Sequence, residues 1–387
     1  MDRRPSISAF QLGLLAAGSA IMFPYTFLPI LRTGPANQDV WIVLLLAMVF
    51  VIILNIPMLI LVNKFKNFDL VEINETIVGK PVGKITAMFF VLYPVFCFFA
   101  CMQFTVLYVR TFLLADTPEW VILLFILIPV TYAAYKGAGT IARLASFVIP
   151  IIMLTILLFF VVGIKNMDLE FIMPIMKDST FLQIAEGAFF TAARFSEILI
   201  IVVFSIYLRK GHKVNSAYFI GLLVFGISFF ILTIATLLVL GPGLAKLSLN
   251  PFLIYTRQVG GQDFLQRVQI FNFVAWFTGT LIKLTIFNYI ATFLFSKIIG
   301  KKTYKPFVVP LSILGFVACM MPFLQKTSTL HMLNEDTVFP FIVLSVTLIV
   351  PLILLIVYLF RMKEVNQKIE QRNQSVTDVA NPTDMPQ

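Results

Sequence analysis

Arg194 and Glu197 stand three residues apart in FFTAARFSEILIIVVF, residues 189–204, a stretch that is apolar on both flanks. A charge at the centre of a membrane-crossing helix costs roughly 2.5–3.5 kcal/mol on insertion scales. Two such charges together need a use. Spacing i, i+3 puts them on one helical face, where a guanidinium and a carboxylate can pair. That pair is either a structural salt bridge or part of a face lining a wet central cavity. In the second reading, Arg194 offers a forked donor to a ligand carboxylate or hydroxyl. Glu197 then orients Arg194, accepts a ligand amine or takes up a proton. Lys283, in FTGTLIKLTIFNYIATF, is a third central charge. It can pair with Glu197 or hold carbonyls at a helix break. Tyr93, beside Pro94, and Phe287 and Tyr289, close to Lys283, are candidate aromatic walls, although aromatics at helical spacing are more often core. Asn55, two residues before Pro57, reads as the cap of a kink.

Enzyme chemistry is not in evidence. His212 and His331 fall in loops on opposite sides of the membrane. Cys97, Cys101 and Cys319 lie inside apolar runs and read as packing residues. No phosphate loop, metal-spaced Cys/His set or nucleophile elbow is present. The expectation is therefore no enzyme, no cofactor and no metal.

The elements that must position these charges are membrane helices. The chain is 59% hydrophobic and 12% charged, against about 25% charged in soluble domains. The excess comes as continuous runs of bilayer-spanning length, not the alternation of a β-barrel. Ten spans are expected, at about 9–32, 38–63, 85–114, 119–135, 139–164, 183–208, 215–240, 267–298, 306–325 and 338–361. With the amino terminus in the cytoplasm, the cytoplasmic loops hold Lys64, Lys66, Lys80, Lys84, Arg209, Lys210, Lys213, Lys297, Lys301, Lys302 and Lys305 among others, and the outer side far fewer. This is the positive-inside pattern for both termini cytoplasmic. It accounts for a net charge of +10 without nucleic acid.

Outside the spans, residues 1–8 form a cytoplasmic amino terminus with no cleavable signal peptide. Residues 66–84 read as a short amphipathic helix ending at Gly79-Lys80-Pro81, and 241–266 as a long outer connection with room for a short helix. Residues 364–387 read as a disordered cytoplasmic tail.

The spans divide five and five. The first set starts inside and the sixth span starts outside, so the halves, about 9–164 and 183–361, have opposite topology, as in inverted-repeat transporters. Such folds interrupt the first helix of each repeat near the midplane. The first span carries Gly13, Gly18, Ser19, Pro24 and Pro29; the sixth carries Glu186-Gly187 and Thr191-Ala192-Ala193 before Arg194. Helix packing by small residues is the alternative explanation.

Several stretches together resemble the spore germination permease family, the B subunits of bacterial germinant receptors, in the amino acid–polyamine–organocation superfamily. They are ISAFQL, NQDVWIVLLLA, FDLVEINETIVGKPVGKI, GTIARLASFVIPIIML, DLEFIMPIM, FSEILI and KPFVVPLSILGFVACMMPF, in order along nearly the whole chain. The resemblance implies a LeuT-like all-α fold of five plus five helices with helices 1 and 6 broken, in the spore inner membrane. It implies a nutrient ligand (amino acid, sugar or nucleoside) and partners: an A subunit, a C-subunit lipoprotein and often a small D subunit. Glu197 matches the family's acid in span six and Tyr93 an aromatic in span three. Lys283 would stand as a fixed cation where related transporters hold sodium. The chain departs from the family at Met22-Phe23-Pro24, where a Gly-x-Gly is common, and at Arg194-Phe195-Ser196 before the acid. The expected ligand-binding set is Gly18, Ser19, Met22, Tyr93, Arg194, Glu197, Lys283 and Phe287.

Overall fold

The computed structural model describes residues 5–31, 38–248, 250–259, 265–321 and 339–380. Among these residues every named secondary-structure element is a helix. Ser8 opens α1 (Ala9–Phe27) with a capping box shared with Gln11. Asp39, fully buried, precedes α2 (Val40–Lys64) and accepts from Met176 N at 3.0 Å and Ser179 Oγ at 2.8 Å, tying two distant loops. The amphipathic segment between spans two and three is α3 (Leu70–Val78), capped by Asp69 and Glu72 and stopped by Gly79 at φ 90°. There follow α4 (Lys80–Phe112), α5 (Glu119–Lys136) and α6 (Ala138–Gly163).

The sixth span is two helices, α7 (Phe181–Phe195) and α8 (Ile198–Ser205), parted by non-helical Ser196 (ψ 89°) and Glu197 (ψ 36°). Beyond it come α9 (Val214–Leu247), kinked at Gly241, and α10 (Pro251–Val259) in the long connection. Then follow α11 (Leu265–Ile298), α12 (Lys305–Met320), α13 (Phe339–Phe360), which contains a π-helical turn, and α14 (Met362–Ala380). Among the described residues, nine spans are long and apolar enough to cross a bilayer, and the shorter apolar α12 is the tenth. The expected end of span nine, beyond residue 321, lies outside the described residues.

Burial identifies the centre of the bundle. The apolar windows of spans one and six are 83% and 78% buried, against 33–61% for the others. These two spans run in opposite senses. Ile7, just before α1, forms a bridge with Leu208, just after α8, so one span begins where the other ends. Close helix approach comes from missing side chains. A Cβ on Gly13 would lie 2.8 Å from Ile220 of α9, and one on Gly18 would lie 2.1 Å from Ile149 of α6.

The interruption in span one falls at Leu28 (φ 40°), ahead of a 3-10 turn over Pro29–Leu31, at the far end of the glycine- and proline-containing stretch from Gly18 to Pro29. Pro24 removes one hydrogen-bond donor, and the helix continues through it. The tail, read from its composition as disordered, takes helical form from Met362 to Ala380, while residues 381–387 lie outside the described residues. Polar composition hid an amphipathic helix. Val365 and Ile369, four apart, are buried. Arg372 donates to Glu72 at 2.7 Å and lies 4.4 Å over the Phe68 ring. Arg361 donates to Ile77 O at 2.7 Å, docking the start of the tail on α3. Lys368 and Arg361 donate to Glu364 and hold its carboxyl below the usual carboxylate range. That local support is present above the ordinary carboxylate pKa and fades as pH falls through the lowered value.

The docking predicts that Arg372→Ala speeds backbone hydrogen exchange across residues 362–372 several-fold, since it removes an exposed ion pair and a cation–π contact each worth up to about 1 kcal/mol. Exchange in α1 and α8 should stay unchanged.

Candidate ligand site at the break in the sixth span

The break is held open by side chains. Ser196 Oγ donates to Asn55 Oδ1 at 2.6 Å, and Asn55 Nδ2 donates to Tyr218 OH at 3.1 Å. Tyr218 OH in turn donates to Val51 O at 3.2 Å. All three side chains are buried. Asn55 therefore pins the end of α7 to α2 and α9 rather than capping a kink in its own helix. A polar residue deep in an apolar span was the available signal. Its partners lie 141 and 163 residues away, beyond the reach of a local pattern.

Freed from helical geometry, Glu197 turns to α11. Lys283 Nζ donates to Glu197 Oε1 at 2.8 Å and to Ser19 O of α1 at 2.8 Å. The two charged side chains are 7% and 10% exposed. The ammonium also sits 5.6 Å from the Phe287 ring centre and 5.9 Å from that of Phe23. Tyr93 backs Phe287 edge-on at 6.4 Å. The second carboxylate oxygen, Glu197 Oε2, and Ser19 Oγ are buried without a hydrogen-bond partner among the described residues. A buried acceptor left unmade costs about 1–3 kcal/mol, more for a charged group.

Arg194 and Glu197 do not form the expected couple. Spacing i, i+3 brings side chains together only along a continuous helix, and α7 ends at Phe195. Arg194 is buried, but Glu197 is the partner of Lys283.

Two small cavities flank the pair. One, of about 40 Å³, is lined by Ala17, Asn55, Phe195, Glu197, Tyr218 and Phe225. The other, of about 20 Å³, is lined by Met22, Cys101, Phe104, Trp276, Thr280 and Lys283. About 10–15 Å³ suffices for one water, so each has room for water and neither holds a nutrient. Toward the C-terminal end of α1, Trp276 Nε1 donates to Thr26 Oγ1 at 2.7 Å and its ring lies 4.0 Å from that of Tyr108. Tyr25 OH donates to Asn272 Oδ1 beside them, and Phe252 of α10 packs on Tyr25.

The expected residues thus sort by place. Ser19, Glu197 and Lys283 bond directly, and Phe287 touches the cation with Tyr93 behind it. Met22 lines the smaller cavity. Gly18 makes room for Ile149 of α6, and Arg194 lines neither cavity. Among the described residues no group of three His, Cys, Asp or Glu side chains could hold a metal ion.

A sequence profile described as spore germination protein, a spore permease profile, matches residues 6–328. Spore germination protein XB of Bacillus anthracis is 21% identical over 72% of this chain and 78% of its own length. Spore germination protein YndE of Bacillus subtilis is 25% identical over 73% of this chain and 78% of its own. Among solved structures, MhsT in complex with L-phenylalanine superposes with a TM-score of 0.62 at 14% identity, covering 92% of this chain and 99% of MhsT. Mhp1, a nucleobase-cation-symport-1 family transporter, gives 0.63 at 14% identity, over 85% of this chain and 75% of Mhp1. At such identities these likenesses speak for the fold, which is LeuT-like.

Removing one member of a buried ion pair costs about 3–5 kcal/mol, because the other is left uncompensated. Lys283→Met and Glu197→Gln should each lower the melting temperature of the detergent-purified protein clearly. The double variant should recover much of the loss, a coupling that a thermal double-mutant cycle reads directly. Asn55→Leu, which removes the acceptor of Ser196 Oγ and the donor to Tyr218 OH, should cost about 1–3 kcal/mol in the same assay.

Proposed function

The chain belongs to the spore germination protein family of permeases, and from that premise we propose that it is a nutrient-sensing, non-enzymatic subunit of a germinant receptor in the spore inner membrane. A small-molecule nutrient enters between spans one, three, six and eight and binds at the Lys283–Glu197 pair. The observation that carries this reading is a charged couple at the break in the sixth span, with Glu197 Oε2 lacking any partner among the described residues. A structural salt bridge has no need of an unsatisfied carboxylate oxygen.

Binding favours one packing of the helices around the pair. A ligand can shift that equilibrium only by its difference in affinity for the two packings. The shift passes to the partners that the family resemblance implies: an A subunit, a C-subunit lipoprotein and a small D subunit.

A second reading has its own support. Mhp1 is a nucleobase-cation-symport-1 family transporter, and another solved neighbour is a Na+-coupled sialic acid symporter. A working secondary transporter coupled to protons through Glu197, or an exchanger, would use the same pair. Uptake of labelled nutrient by the purified chain in vesicles separates the two: gradient-driven flux favours transport, and binding without flux favours sensing.

For spores carrying Glu197→Gln at normal protein level, the nutrient concentration giving half-maximal germination should rise at least tenfold. An unchanged dose-response at that abundance would remove the pair from the sensing site.

A further inference from the structure

We propose that the groove between α5 and α12 holds an acyl chain of an anionic phospholipid whose phosphate is taken by Lys136 and Lys305. This site is separate from the Lys283–Glu197 pair and does not depend on its role. The groove has a volume of about 540 Å³. Leu124, Ile128 and Tyr132 of α5 and Val309, Ile313 and Phe316 of α12 line it. From Leu124 to Tyr135, also in its wall, it runs about 16 Å at roughly 1.5 Å per residue, close to one leaflet of a ~30 Å hydrocarbon core. The hydroxyls of its floor are spent. Thr131 Oγ1 donates to Ser312 Oγ at 2.7 Å, and Ser312 Oγ donates to Val308 O at 3.0 Å. What stays open is carbon surface, complementary to an acyl chain.

Cations stand at one end of this groove. α5 ends at Lys136, and α12, antiparallel to it, begins at Lys305. Tyr304 ties the two ends together. Its hydroxyl donates to Tyr135 O at 3.3 Å and sits against Gly137, at φ 89°, where a Cβ would lie 2.4 Å from the same oxygen. Lys305 Nζ lies 5.2 Å from the ring centre of Tyr135, and Lys136 Nζ lies 5.2 Å from that of Tyr132. Both ammonium groups therefore lie over rings of the groove wall. Both lysines are exposed, and neither pairs with a carboxylate among the described residues. Lys301 and Lys302 precede Lys305 in the same connection, and no Asp or Glu occurs in residues 120–167 or 264–334. The start of α12 adds its positive dipole end. Tyrosine and lysine at a span's end belong to the membrane interface, and a basic pocket between membrane helices selects anionic head groups. The unneutralised cations decide the occupant. A packed protein helix would cover the carbon walls and leave the lysines beyond them uncompensated, whereas a phospholipid of the surrounding leaflet brings chain and phosphate together. The groove on the other flank of α12, about 460 Å³, also has carbon walls, but among the described residues no cation lies over its rings.

The test is native mass spectrometry of the detergent-purified full chain with phosphatidylglycerol and phosphatidylcholine of identical palmitoyl and oleoyl chains. The native chain should retain phosphatidylglycerol at least fivefold more than phosphatidylcholine. The double variant Lys136→Gln/Lys305→Gln should bring that ratio close to one. Lys64→Gln/Lys66→Gln removes the same charge from exposed positions at the end of α2 and should leave the ratio unchanged. Ile313→Trp, which fills the groove with every charge kept, should lower retention of phosphatidylglycerol at least threefold. If the Lys136/Lys305 variant does not fold, the lipid comparison on the native chain and Ile313→Trp decide. Equal retention of the two lipids, a preference that survives loss of both groove lysines or falls equally in the Lys64/Lys66 control, or retention unmoved by Ile313→Trp would overturn the proposal. A dimer of the chain that Ile313→Trp dissociates would overturn it too, by giving the groove to a second copy.

Discussion

One ammonium group joins three helices. Lys283 Nζ, on α11, reaches a backbone carbonyl of α1 and a carboxylate at the break between α7 and α8, each at 2.8 Å. It does so in the most buried part of the bundle, where neither charge would persist alone. The close packing around it follows from this. α1 stays helical through Gly18 and Ser19, so the Ser19 carbonyl lies at the fixed height where the ammonium finds it. The sixth span breaks at Ser196 and Glu197, and there the Glu197 carboxylate meets Lys283 of α11. Asn55, Ser196 and Tyr218 keep that break from closing into a continuous helix.

The pair ties three helices together, yet leaves one carboxylate oxygen unsatisfied between two water-sized hollows. In the sensing role proposed above, a ligand that satisfied that oxygen and shared the ammonium would change the bonding of three helices together. α11 also extends the contact to one membrane face. Lys297, further along the same helix, pairs with Asp69 at 2.8 Å, the residue that caps α3, and α14 docks on α3 through Arg361 and Arg372. The central ion pair and the docked tail are thus linked through α11 and α3.

Much of this was legible in the sequence. Run length and the asymmetry of lysines announced ten spans, and the halves' opposite topology marked spans one and six as the interrupted helices. Lys283 and Glu197 stood out because charge in an apolar run is expensive. What the residues could not reveal was pairing. Arg194 and Glu197 look coupled by spacing, and they are uncoupled by a break that depends on Asn55, far away in the chain. Gly18 and Pro24 suggested an interruption, but a glycine that admits Ile149 and a proline lacking one donor are both compatible with continuous helix. The tail looked disordered by composition, while Val365 and Ile369 needed the surface of α3 and its neighbours to become buried.

The central claim is that Glu197 is an ionised carboxylate bound to the ammonium of Lys283 inside the membrane. Isotope-edited infrared difference spectroscopy between the native chain and Glu197→Gln in nanodiscs at neutral pH measures this directly. The account predicts loss of an ionised carboxylate band and no loss of a protonated carboxyl band. Loss of the protonated carboxyl band instead would contradict it, because a neutral Glu197 neither holds Lys283 as an ion partner nor offers a charge to a ligand.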